Sequence, residues 1–313
     1  MAVDTPHTAP FPVSAVLTGI TLAYRNTSLI ADNVLPRVPV GGREFKYWSY
    51  ASEERFTVPE TLVGRKGMPN EVEFGATEQS AAVRDYGLDD VVPNDDISQA
   101  PAGYDPKGHA VEAMTDLILL DREVRAANLL FNPASYASGN VVTLSGSSQW
   151  SDASSDPLKA LLSALDTPMM RPNVLVLGQA AWTILRQHPA LVSAGLANSG
   201  TKGTVTREQL ASLLEVEEVV IGQGYVNTAK PGQPAQMTRV WGKHAALIYR
   251  NKLANSQRGA TFGFTAQWGN RVAAEWAEPK WGLRGAVRVR AGESVRELVI
   301  APDLGMLFQN VVA

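Results

Sequence analysis

The sequence predicts an α+β fold in which extended segments with no core of their own are joined to a compact lobe. Three observations predict it. Residues 1–92 carry the proline, glycine and aromatic punctuation of extended chain. Asp105-Pro106 opens a long apolar series at helical spacing, and Asp156-Pro157 opens a stretch in which short helices and strands alternate. β signals then return between residues 251 and 313.

Composition narrows the field. A chain of 313 residues that is 45% hydrophobic and 19% charged can bury a sizeable core, as one large domain or two of common size. It has no cysteine, which excludes disulfides, thiolate metal sites and cysteine nucleophiles. A formal net charge of −3 has the wrong sign for coating nucleic acid, so contact with DNA is expected to be weak and non-specific. The terminus, with Pro6, Pro10 and Pro12, lacks the basic and apolar blocks of a secretory signal, and no window has the ~20 apolar residues of a membrane span.

Residues 1–40 form an arm, because Pro36 and Pro39 force extended backbone and cannot donate ladder hydrogen bonds. Gly41-Gly42 breaks the chain, and Arg43 to Tyr50 follows as an aromatic strand. Past a polar stretch punctuated by Pro59, Gly64, Gly67 and Pro69, an extended run returns through Glu71–Phe74 and Val83–Leu88. The result is a hairpin-like excursion over residues 41–92, marginal alone and in need of a surface to lie on.

Asp105 as N-cap and Pro106 at the first helical position start a helix running to about Phe131, ~40 Å long. Ala110, Ala113, Leu117, Leu120, Val124, Ala127 and Phe131 read as its buried face. Asp116, Asp121, Arg122, Glu123 and Arg125 read as its polar side, with Asp121 and Arg125 an i,i+4 pair. After a Ser/Gly-rich polar stretch, Leu158, Leu161, Leu162 and Leu165 share one side of a second helix. Strands are expected at Asn173–Leu177 and Glu217–Ile221. Helices are expected around Ala180–Gln187 and after the Thr206/Gln209 capping box. Further strands follow at Arg239–Trp241, Ala245–Tyr249, Thr261–Thr265, Gly285–Arg290 and Arg296–Ile300. No repeat of fixed period appears.

The chain offers little chemistry. His7, His109, His188 and His244 lie far apart, with no second ligand at metal-binding spacing. Ser145-Gly146-Ser147 only approaches a nucleophile elbow. Gly195 to Lys202 resembles a phosphate loop, but its Thr and Lys are transposed and no strand immediately precedes it. Gly222-Gln223-Gly224 lacks the third glycine and the helix of a dinucleotide site. Neither a cofactor nor a metal is expected.

Interface signals are better. Asp89, Asp90, Asp95 and Asp96 lack the spacing and glycine of a calcium loop and read first as a solvated turn; the sharper alternative makes them interface residues that meet Arg65 and Lys66, at the tip of the excursion, on a neighbouring subunit. The seven tryptophans read first as core packing; Trp276 and Trp281, with Glu278 and Pro279, sit in a loop-like segment also suited to contact with another chain.

The order of parts, with the phrases from Tyr24 to Pro36 and from Pro172 to Gly178, resembles the major capsid proteins of tailed double-stranded DNA phages, which have the Hong Kong 97 capsid fold. The resemblance implies an N-terminal arm (1–40), an extended loop (41–92), a peripheral domain (93–155) with a spine helix at 105–131, an axial domain (156–250) and return strands (251–313). It implies a non-enzymatic subunit whose main partner is itself, as pentamers and hexamers of an icosahedral shell assembled in the host cytoplasm. A scaffolding protein (or a precursor already trimmed), a portal and a candidate decoration protein are further partners; no membrane is involved. Some family members crosslink through a loop Lys and an Asn. Lys66 lies near the tip, but no motif marks a partner Asn, and that chemistry is not carried over. The rival expectations are a tail or portal-associated ring, and an α/β enzyme with its site in residues 156–250.

Overall fold

The computed structural model describes residues 16–18, 28–49, 58–72, 77–195, 203–230, 232–254 and 259–313. Two main sheets organise them. The first has the order β1 (Arg37–Pro39), β11 (Gly263–Glu278), β12 (Ala286–Val299), β4 (Arg84–Pro93). Its long strands β11 and β12 pair antiparallel, with a register shift between Trp268 and Val272. β4 runs antiparallel to β12, and β1 joins the far edge parallel to β11, Arg37 opposite Thr265.

The second sheet has the order β5 (Val141–Thr143), β13 (Gly305–Gln309), β10 (Ala245–Ile248), β6 (Val174–Gly178), β7 (Glu218–Gly222). All residues of β6 and β10 are buried, the unbroken apolar run of strands covered on both faces. One face carries α4 (Pro157–Leu165), α5 (Gln179–Leu185), α6 (Pro189–Gly195) and α7 (Arg207–Leu214), packed around Leu161, Leu185 and Leu210. Gly222 ends β7 against Trp241: a Cβ there would lie 2.0 Å from the indole Cδ1, so no larger side chain fits.

One helix ties the sheets together. In α3 (Pro106–Leu130), Asp105 caps by accepting from the Lys107 N–H at 3.1 Å. Its first half packs Val111, Met114 and Ile118 on Val289 and Ala273 of the first sheet. Its second half packs Ala126, Ala127 and Leu130 on Val176, Val220 and Ala246 of the second. The remaining elements are the short helices α1 (Ala31–Val34) and α2 (Asn94–Ser98), and the hairpins β2 (Glu44–Ser49) with β3 (Thr77–Ala82) and β8 (Tyr225–Asn227) with β9 (Met237–Arg239).

The structure corrects several expectations. The buried face of α3 is not the one read from the leucines: Leu117 is 56% exposed, whereas Arg122 and Glu123, assigned to the polar side, are 1% and 0% exposed. The returning extended run divides, Thr77–Ala82 pairing with β2 and Arg84–Pro93 with β12. The strands expected at 261–265 and at 285–290 with 296–300 are parts of the two long strands β11 and β12. Trp276 therefore stands in β11 and not in a loop. Strand β13, unanticipated, forms because its alternate neighbours β5 and β10 bury Met306, Leu307 and Phe308. The phosphate-loop-like segment, residues 196–202, and His7 lie outside the described residues.

Candidate functional site

The chemistry of this chain is concentrated where the arm meets the body. Glu123, on the second half of α3, points its carboxylate at the start of α1. It accepts from the Ile30 N–H at 2.8 and 3.0 Å, the Ala31 N–H at 2.8 Å and the Trp241 indole N–H at 2.5 Å. A carboxylate at a helix start satisfies donors that would otherwise be orphaned. Desolvation raises the Glu123 carboxyl above its ordinary range, against these hydrogen bonds.

Arg122, one residue back, donates to Asp32, the Leu35 carbonyl and Thr265 Oγ1. Arg37 pairs with Asp32 at 2.8 Å and with Glu293 at 2.8 Å, and Arg271 meets Glu293 at 3.0 Å. Burial pushes the Asp32 and Glu293 carboxyls up, but the neighbouring guanidinium groups, Arg122 first for Asp32 and Arg37 first for Glu293, hold both below their ordinary values. Arg250, 4% exposed, donates to the Asn33 carbonyl and pairs with Glu218 at 2.8 Å. Residues 30–37 are thus gripped by side chains from α3, β7, β11 and β12 and the segment after β10. Within this grip Asp32, Arg37, Glu293 and Arg250 each meet an opposite charge, and the Glu123 side chain is sealed from solvent.

The excursion is the opposite. Gly67 N–H donates to the Gly64 carbonyl at 2.8 Å, placing Arg65 and Lys66 at the two central positions of an exposed turn. Asn70 Nδ2 bonds the Glu60 carbonyl across the loop. Val58, Leu62 and Met68 stand 87%, 84% and 89% exposed.

Of the four acids expected to face that tip on a neighbour, two already have partners in their own chain. Asp89 forms a bidentate pair with Arg290, at 2.6 and 2.7 Å, whose hydrogen bond holds its carboxyl below the ordinary range. Asp95 pairs with Arg284 at 3.0 Å. Asp90 and Asp96 are exposed and have no ion pair among the described residues. Trp276 is half-buried, bonding Glu278 at 3.3 Å with the Arg290 guanidinium 5.1 Å from its ring centre, whereas Trp281 is 54% exposed. Among the described residues no cluster of His, Asp or Glu could hold a metal, and no helix is long and apolar enough to cross a membrane.

A gripped arm root and an exposed apolar excursion are the features by which these described residues stand out. The chain is 55% identical over 305 residues to the major capsid protein of Pseudomonas phage JBD67, covering 97% of this chain and 99% of that one. It therefore belongs to the family of phage major capsid proteins, and it is a non-enzymatic protein of the capsid shell, located in the virion. Among solved structures it is similar to a phage-related protein from Bordetella bronchiseptica RB50, with TM-score 0.76, 23% identity and coverage of 97% and 99% of the two chains. It is also similar to the capsid of the cyanophage P-SCSP1u, with TM-score 0.60, 10% identity and coverage of 98% and 93%. No family model matches the chain.

Proposed function

We propose that the chain builds an icosahedral shell of pentamers and hexamers around phage double-stranded DNA, using the Hong Kong 97-like division into arm, extended loop, peripheral domain and axial domain. One observation carries this reading: the excursion at residues 58–72 exposes Val58, Leu62 and Met68, with no surface among the described residues to cover them. Burying one such side chain contributes roughly 1.5–3 kcal/mol. Repeated around a lattice, contacts that are weak singly close a shell. The lobe around β6 and β10 supplies the rigid body, the arm root fixes where the N-terminal segment leaves it, and the excursion reaches over a neighbour. A scaffolding protein, a portal and a decoration protein fit this scheme as further partners, with assembly in the host cytoplasm.

Electron microscopy of the protein made in bacteria tests the reading. Closed shells with five- and sixfold clusters are the expected result; tubes, flat rings or monomers alone would sink it. Deleting residues 52–80 should abolish shells while the remaining lobe still melts cooperatively. Normal shells from that deletion would defeat the locking role of the excursion.

A further inference from the structure

We propose that the turn between β11 and β12 is a knob that seats in a groove beside the start of α3 on a second copy of this chain, closing a ring of copies through one repeated contact. The inference rests on the shell reading above and names a surface within it.

The knob is residues 279–285. Leu283 is 100% exposed and Trp281 54%, a large apolar pair held out in water. It is held out rigidly. The Asn94 N–H donates to the Gly285 carbonyl at 3.1 Å, its side-chain amide to the Arg284 carbonyl at 2.8 Å, and Arg284 pairs with Asp95 at 3.0 Å. Gly282 and Gly285, at φ 65 and 72°, supply the left-handed backbone that turns the chain back. A knob already ordered forfeits little entropy on docking, and Trp is among the residues that most often anchor interfaces.

The groove, of about 580 Å³, lies between the end of β4, α2 and the first turns of α3. Pro101, Tyr104 and Pro106 give it apolar walls, and the Tyr104 ring lies 5.8 Å from that of His109. Asp90 and Asp96 line it, exposed and without ion pairs among the described residues. Lys280, beside Trp281, is likewise exposed and without an ion pair among them. The two surfaces are therefore complementary in both apolar character and charge. Since Leu283 is fully exposed, the knob does not fill the groove of its own chain. One knob and one groove per copy, on different patches, allow a heterologous contact that forms a ring when its rotation closes; a reciprocal two-fold exchange would stop at disulfide-linked dimers in the test below. Knob and groove sit at the same end of the first sheet, joined through α2, so each copy can give and receive there.

The absence of cysteine makes the test clean. Two double variants are compared in assembled particles under oxidation: Ala113→Cys with Leu283→Cys, and Ala113→Cys with Arg65→Cys, Ala113 being an exposed residue of the groove. The expected result is a ladder of disulfide-linked multimers from the first pair and none from the second. Linkage through Arg65→Cys instead would seat the excursion tip in the groove and overturn the proposal. So would shells at normal yield from Trp281→Ala/Leu283→Ser. Lys280→Glu should lower shell yield about tenfold or more, and adding Asp96→Lys should restore it; equal loss in the single and double variants, with unchanged melting of the subunit, counts against the proposal. An unaltered chain that makes no shells would defeat the shell reading itself, a separate outcome.

Discussion

Residues 30–40 and residues 58–72 are alike in sequence texture: both bear prolines, both lack a long regular element, and neither has a core of its own. Their surroundings differ completely. Val34 and Leu35 are 1% exposed, and the segment around them is held by Glu123, Arg122, Arg250 and Glu293. In residues 58–72 the apolar side chains face water, and among the described residues the backbone bonds only within the excursion itself. The difference teaches where this subunit is finished by itself and where it is left to a neighbour. The first segment should govern the stability of a lone subunit; the second should govern only assembly.

The comparison breaks most readily at Glu123. Glu123→Ala leaves the Trp241 indole N–H and two backbone N–H groups buried without acceptors, and should lower unfolding free energy by roughly 3–5 kcal/mol in urea titrations of unassembled subunit. Gly222→Ala should follow at roughly 1–3 kcal/mol, since its new methyl meets a Trp241 ring that the bond to Glu123 keeps from moving aside.

Acid separates the carboxylates of the grip. Asp32 and Glu293 have lowered folded-state values, so they contribute fully above their ordinary values of 3.8 and 4.5, and that contribution is lost as pH falls through the lowered ones. Glu123 runs the other way: its value is raised above 4.5, so stability is lost as pH rises through the raised value and regained on acidification. Urea midpoints taken from about pH 7 down to 3 should therefore rise slightly, then fall. Glu123→Gln should remove the rise and Glu293→Gln should shallow the fall. The smallest effect belongs to the excursion. Leu62→Ser and Met68→Ser should change subunit stability by no more than about 0.5 kcal/mol. A larger loss would mean that the loop packs on its own chain and that the contrast is misdrawn.

Local chemistry was legible where one short segment decides. Asp105-Pro106, Asp156-Pro157 and the Thr206/Gln209 box each start a helix as expected, because a cap is settled within a few residues. The buried face of α3 was misread because Arg122 and Glu123 look like solvent residues, and their partners lie some ninety positions away, at Ile30 and Asp32. A signal did exist. Thr115 with Met114, Ile118-Leu119, Arg122-Glu123 and Ala126-Ala127 form doublets every four positions, and a charged doublet inside that series marks a buried ionic site. The excursion and the acid groups were visible as surfaces, but not which acids were already taken: Asp89 pairs with Arg290 across a strand register that sequence does not fix.

The parallel strand β1 imposes an order of events. Arg37, Val38 and Pro39 pair with Thr265, Ala266 and Gln267, and the grip adds Glu293 from the strand beyond. In a chain growing from its N-terminus, β1 therefore stays without its strand partner until residues 265–267 have left the ribosome. Chains ending before residue 263 leave β1 without its strand partner, although they retain Arg122 and Glu123 for the residues just before it. Closure of that sheet edge is therefore a late event, waiting on residues far along the chain from the strand it completes.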